Sequence, residues 1–371
     1  MYSLLQAVRI VRRLLREGTG HDKMRTMRMP SPRALAAVAT LVLAGCGSST
    51  SHSTGSSTSH ASSAATSSSS ATSTPPPAVA ELGAAEHPRP SDFPQPHGQT
   101  LQQLANLVKS SAQLGAATGT FTPGTRRLAF GLNSSSGAFI YAPTAVYLAR
   151  TPNSRAAGPF LAPADPMAVA PRYRSQQNSG PGGIQAIYAA QVPVREPGTY
   201  AVLALTQTSR GLIGAPGEIA VAASSPIPDV GQRPPAIATD TPASVRGNLA
   251  LLTTRIPPDD MHAVSFNQVL GKRPVALLFS TPQLCISKVC GPVTDIAVQL
   301  EHRYESRIAF IHEEVYVSNQ PNQGLRPQLK AFHLETEPWL FTVDRQGVIV
   351  ARLEGAFGVN EFNQALQEAL R

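Results

Sequence analysis

The chain has 371 residues, 31 of them lysine or arginine and 23 aspartate or glutamate, for a formal net charge of +8. The basic excess comes without a stripe of cations interleaved with aromatics, so nucleic acid is not an expected partner; an anionic membrane or wall surface suits it better. There is no G-x-G-x-x-G after a strand and no P-loop, so no organic cofactor is implied, and the chemistry falls to three cysteines.

Residues 1–46 read as an export signal. Arg25, Arg28 and Arg33 precede an apolar run from Ala34 to Ala44, and small residues lead into Cys46. That run is well short of the ~20 residues a spanning helix needs. Leu43-Ala44-Gly45-Cys46 resembles a bacterial lipobox, whose cysteine is lipidated and becomes the mature N-terminus. Residues 1–23 form a basic prefix that such a signal does not require, so the start is expected at 24–29, where Met24, Met27 and Met29 lie. The expected location is exported, lipid-anchored to the outer face of the cytoplasmic membrane. Residues 47–99, rich in Ser, Thr and Pro, have too few apolar side chains to offset the entropy of ordering and read as a disordered tether. His52 and His60 within it read as polar spacers.

Residues 100–225 are expected to hold a short helix and a β-sandwich. Leu101, Leu104, Leu107 and Val108 share one helical face of LQQLANLVKSSAQL, residues 101–114. RLAFGLN, AVYLAR, IQAIYAAQV, GTYAVLAL and EIAVAA then alternate at period two between Gly, Pro and Asn turns. Such short, evenly spaced strands suggest an immunoglobulin-like sandwich, and YAAQVPVREPGTYAVL resembles a strand pair of small envelope sandwich domains. No Cys, His or acidic cluster sits on these strands, so a binding or spacer module is expected. Residues 226–247 form a proline-rich linker, expected to be extended and semi-rigid.

Residues 248–371 follow a different pattern. VALLFS reads as a strand buried on both faces. Val293, Ile296, Ala297, Leu300 and Tyr304 make one stripe on a helix over CGPVTDIAVQLEHRY. RIAFIHEEVYV reads as a second buried strand and LRPQLKAFHL as a short helix. WLFTVD and VIVARLEG flank DRQG as a hairpin, and VNEFNQALQEALR closes as an amphipathic helix. The predicted order is βαβ, helix, ββα.

That order, with Cys285 and Cys290 at the first strand-to-helix junction, is similar to the thioredoxin fold over roughly residues 260–371. The resemblance rests on FSTPQLC…CGPV, on Glu337-Pro338-Trp339 placed like a thioredoxin cis-proline, and on FTVDRQGVIVARLEG, which looks like the hairpin of exported TlpA- and Sco-type proteins. The expected class is therefore multidomain: an all-β sandwich followed by an α/β thioredoxin-like domain. The family's C-G-P-C is absent, since Val293 follows Pro292 and the cysteines stand in C-x4-C spacing. The acid that thioredoxins carry before the strand phenylalanine is replaced by Leu278, leaving Glu337 or Glu313 as expected proton acceptors.

A thiol reacts as its thiolate. Pro292 suits a first helical turn, which puts Cys290 near the N-cap, where free N–H groups favour an anion, with Lys288 close by. Family order would instead make Cys285 the attacking thiol, and sequence leaves the roles open. The expected function is thiol–disulfide oxidoreductase work on envelope protein thiols and disulfides, with a redox partner protein, through Cys285, Cys290 and Pro338, and with Glu337 and Trp339 contacting the client. Two alternatives stand beside it. A Sco-like copper protein would add His333 or His312, with His262 a weaker candidate, to the two sulfurs. A non-enzymatic binding lipoprotein would use the pair as a structural disulfide.

Overall fold

The computed structural model describes residues 82–178, 180 and 183–371. The export signal, Cys46, and the tether through residue 81, with His52 and His60, lie outside the described residues. Among the described residues no helix is long and apolar enough to cross a membrane.

Residues 82–99, expected to end the tether, are packed onto the domain that follows. Phe93 is buried with Leu101, Leu104, Tyr147 and Leu205, and the Tyr147 hydroxyl donates to the Pro94 carbonyl at 2.7 Å. A single well-placed aromatic supplies the apolar contact that the preceding Ser/Thr run lacks. Helix α1 (Leu101–Ala105) opens on a Thr100/Gln103 capping box. It stops well before Leu114 because strand β1 (Ser110–Ser111) turns aside to pair in parallel with a sheet edge, leaving Leu107 exposed.

Two sheets form the first domain. Strands β2 (Gln113–Ala116), β3 (Gly124–Asn133), β4 (Thr144–Ala149), β5 (Ala157–Leu161), β6 (Ala164–Pro166), β7 (Ala186–Val194), β8 (Gly198–Thr208) and β9 (Gly211–Val221) follow β1. Their orders are β1-β9-β8-β4-β5 and β2-β3-β7-β6. Inward residues of both sheets, among them Phe130, Val146, Tyr188, Val202 and Ile219, make one buried cluster, as alternation at period two requires.

The second domain has strands β10 (Val275–Phe279), β11 (Ala309–Glu313), β12 (Trp339–Val343) and β13 (Ile349–Glu354) in the order β11-β10-β12-β13. β10 pairs in parallel with β11 and antiparallel with β12. Helix α2 (Phe266–Val269) and helix α4 (Pro327–Ala331) cover one face; helix α3 (Cys290–Tyr304) and helix α5 (Val359–Ala369) cover the other. This is the order expected of a thioredoxin-like fold. Both sheet edges are covered by chain that comes earlier in sequence. At β13, Gly231 N–H donates to the Ile349 carbonyl and Ile349 N–H to Gln232. At β11, His312 N–H donates to the Met261 carbonyl. The proline-rich segment is thus docked rather than free, and Arg326 holds it through Asp240 and the Leu251 carbonyl.

The two domains share a layer. Ala129, Met167 and Ile187 on the outer face of β3, β7 and β6 are buried against α3 and α5. Asp165 of β6 accepts the backbone N–H groups of Asn360 and Glu361, at 2.9 and 2.8 Å, and so caps α5 from the other domain. Arg127 reaches across to Glu361 at 2.6 Å and to the Glu354 and Ala356 carbonyls. α3 is consequently buried nearly all round its first half, including Thr294, Asp295 and Val298 off its apolar stripe.

Candidate functional site

β10 ends at Phe279 and delivers the chain to a tight loop. Cys285 N–H donates to the Thr281 carbonyl and Lys288 N–H to the Cys285 carbonyl, with Lys288 in the left-handed region at φ 58°. The loop folds Cys285 back over the start of α3, whose first residue is Cys290. Both thiols are free. The two sulfurs and the Glu337 carboxylate lie within 4.8 Å of one another. The Glu337–Pro338 peptide is cis, and Pro338 is buried at the start of β12 beside this group.

The two sulfurs differ in environment. Cys285 is 7% exposed and Cys290 is 0% exposed. The Cys290 thiol donating to Cys285 is the main force lowering the Cys285 pKa, from 9.0 to about 6; burial opposes it, and Ser287 with the N–H groups of Cys290 and Val289 assist. The Ser287 hydroxyl sits 3.2 Å from Cys285 Sγ. Burial, and then the donated hydrogen bond and the charge of Cys285, push the Cys290 thiol well up. The helix start therefore favours the anion on Cys285, whose side chain lies over its amides, and not on Cys290, whose own side chain turns into the core. Burial, followed by the Cys285 charge, raises Glu337 to about 7.

Other expected residues fall elsewhere. Trp339 is wholly buried, stacked on Phe341 at 5.9 Å with its indole N–H on Thr336; it is core, with no surface for a client. Glu313 is buried on Arg326 at 2.9 Å, which takes it out of the proton-acceptor role. His333 is exposed. His312 is buried, with Nε2 donating to the Ser280 carbonyl and Nδ1 against Asp259. Neither histidine joins Cys285 and Cys290 in a group of ligand atoms within 4.8 Å; Glu337 is the residue that does. A copper set of two sulfurs and an imidazole is thus not assembled, because strand pairing points His312 behind Ser280.

Three features went unseen in the sequence. Ser287 stands between the cysteines and was legible there as a hydroxyl donor. Tyr316 is half-buried near the site, where burial and then the charges of Glu337 and both sulfurs raise its pKa. The third is the sandwich loop around residues 173–178, which sits on the first turn of α3. Ser175 N–H and Asn178 Nδ2 each donate to Asp295 Oδ2 at 3.0 Å. A Cβ on Gly291 would stand 2.6 Å from the Gln177 carbonyl oxygen, so only glycine admits that approach. Beside it a cleft of about 550 Å³ is lined by Phe139, Gln177, Ile184, Ser287 and Lys288, and Ile286 projects nearby, 87% exposed.

Neither a protein-family model nor a curated protein matches the chain. Several solved structures show a likeness to it, three of which follow. A thiol:disulfide interchange protein DsbE from Chlorobium tepidum is 14% identical over 39% of this chain and 99% of that one, at a TM-score of 0.28. The MTB dsbF in mixed oxidised and reduced forms is 16% identical over 37% and 99%, at 0.26. A thioredoxin family thiol:disulfide interchange protein from Chlorobium tepidum TLS is 17% identical over 40% and 100%, at 0.26. Scores this low say nothing of mechanism; the fold rests on the strand order and the site on the geometry above.

Proposed function

We propose that this chain carries out thiol–disulfide exchange. One observation carries the proposal: two free thiols and the Glu337 carboxylate gathered within 4.8 Å at a helix start, with Cys285 the less deeply buried of the two and lowered toward its thiolate by the Cys290 hydrogen bond. In the reductive direction, the Cys285 thiolate attacks a client disulfide. A mixed disulfide forms and one client sulfur leaves as thiolate. Cys290 then yields its proton to the Glu337 carboxylate and attacks Cys285 Sγ, expelling the second client thiolate and closing the Cys285–Cys290 disulfide. Two electrons have passed to the client, and a dithiol partner protein restores the pair. The oxidative direction runs the same steps backwards.

The reduction potential tests this, measured by alkylating purified protein across a dithiol redox series. A value between about −270 and −120 mV is expected. One below about −300 mV would make the pair a structural staple and end the proposal.

The same reading places the chain outside the cytoplasmic membrane, held by lipid on Cys46, with a Ser/Thr-rich tether and an immunoglobulin-like sandwich preceding the redox domain. The Leu43-Ala44-Gly45-Cys46 motif supports the anchor. The order of strands in the two sheets supports the sandwich type. Clients are then envelope proteins bearing thiols or disulfides. Cys46→Ser should shift the protein from the membrane to the soluble fraction; unchanged partitioning would refute lipid anchoring.

A further inference from the structure

Behind the cysteine pair lies a second group of side chains that the exchange reaction does not use. Asp259 and His262 lie on the segment that enters the second domain, and His312 lies on β11, on the same sheet face as Phe310. All three are buried, and one ligand atom from each lies within 4.8 Å of the others. His312 Nε2 donates to the Ser280 carbonyl at 3.1 Å; a carbonyl only accepts, so that nitrogen carries the proton. Nδ1 is thereby turned to the Asp259 carboxylate, 3.1 Å from Oδ2.

His262 decides what the group is for. Its Nε2 is 3.1 Å from Asp259 Oδ1 but poorly aligned with it, and its Nδ1 is buried without a hydrogen-bond partner among the described residues. An orphaned buried imidazole is costly and uncommon. An ion bound between the Asp259 oxygens and the two imidazoles would meet ligand atoms that already lie within 4.8 Å of one another. Glu301 and Glu314 each leave a further buried carboxylate oxygen without a partner, with Glu301 against Asp260 and Glu314 close to His312.

We propose that Asp259, His262 and His312 bind one divalent transition-metal ion, zinc by the chemistry of the donors. Two imidazoles and a carboxylate are zinc ligands. A backbone carbonyl on the far nitrogen of His312 fixes the tautomer that frees Nδ1, as ligating histidines require. Thr253 Oγ1 donates to Asp259 Oδ2 at 2.7 Å and orients the carboxylate. On binding, the ion takes the position of any proton shared by Nδ1 and Asp259, and that proton passes to solvent. All three ligands are buried, and the ion would fasten the entering segment to β11 just behind Ser280, whose hydroxyl bonds to Thr294 of the cysteine helix at 2.9 Å, with its fourth position open to a water or a neighbouring carboxylate.

The test must separate this group from Cys285, Cys290 and Glu337, which also lie close enough to share an ion. The full chain carrying Cys285→Ser and Cys290→Ser is refolded with zinc chloride, dialysed against metal-free buffer, and assayed for metal by mass spectrometry. About one zinc per chain should remain. Adding His262→Ala, or His262→Gln should the alanine variant not refold, should cut retention at least tenfold while the far-ultraviolet spectrum stays that of the parent. Cobalt in place of zinc should give visible bands of nitrogen and oxygen ligation without a thiolate charge-transfer band. No retained zinc in the double serine chain would overturn the site, as would retention indifferent to His262.

Discussion

Cys285→Ser should abolish disulfide exchange, by roughly 1,000-fold or more, whereas Cys290→Ser should arrest it as a covalent adduct between Cys285 and the client. The difference follows from which sulfur is the more acidic and the less deeply buried. Cys285 is brought to about 6, so most of it is thiolate at pH 7; Cys290 is held well above the ordinary thiol value and lies wholly inside. Iodoacetamide should accordingly label Cys285 with a rate rising through pH 6, and leave native Cys290 unlabelled to pH 9. Labelling of Cys290 first would reverse the assignment.

Stability of the reduced protein carries the same information. A thiol depressed from 9.0 to about 6 binds more protons unfolded than folded between those values. Its contribution therefore grows from pH 6 to 9 and is lost as pH falls through 6. Glu337, raised from 4.5 to about 7, has the opposite sign: the folded form binds more protons, and stability falls as pH climbs from 4.5 to 7. Glu337→Gln should remove that fall. It should also flatten the rise with pH in the rate at which Cys290 resolves the adduct, because no base remains to take its proton. An unaltered profile would exclude Glu337 as the acceptor.

Asp295→Ala should cost about 3–5 kcal/mol in urea unfolding, the range for breaking a buried ion pair. Asp295 is fully buried and holds Arg255 Nε at 3.0 Å, with Arg255 itself almost fully buried. Its other oxygen holds Ser175 and Asn178 of the sandwich. The variant leaves a guanidinium inside without its counter-charge, bonded only to the Pro257 and Tyr173 carbonyls. By contrast Asp229, about a quarter exposed between Arg126 and Arg352, should cost clearly less when changed to alanine, because solvent reaches the carboxylate and screens it. An Asp295→Ala cost no larger than that of Asp229→Ala would mean the pair is not holding the domains together.

Much of the redox domain was legible because its signals are local. An unbroken apolar run marks β10, one stripe marks α3, and Asp344-Arg345-Gln346-Gly347 turns β12 into β13. Proline after glutamate at 337–338 pointed to the cysteines through family likeness, and the structure puts both residues there. What stayed hidden depends on partners far apart in sequence. Asp165, Arg255 and Asp295 look like ordinary surface charges until the domains meet and bury them. The same contact explains why α3 is covered on faces its stripe leaves polar. Helix-start reasoning favoured an anion on Cys290, since it counts residues from the cap; the loop that folds Cys285 over those amides depends on backbone turns at residues 281–288 that composition does not reveal. Trp339 illustrates the converse, since a lone tryptophan beside a site gives no sign of which way strand pairing will face it.

The two short segments that cover β11 and β13 bear on how this protein meets other chains. An open sheet edge is a template for further strands, and a protein exchanging disulfides with partly folded clients, as proposed, would meet such strands repeatedly. Here Met261 occupies one edge and Gly231 with Gln232 the other, both supplied by chain that precedes β10. Edge-to-edge growth through this sheet is thus hindered from within the same polypeptide. A domain cut out from Val275 onward would lose both guards at once, and should self-associate more readily than the intact chain.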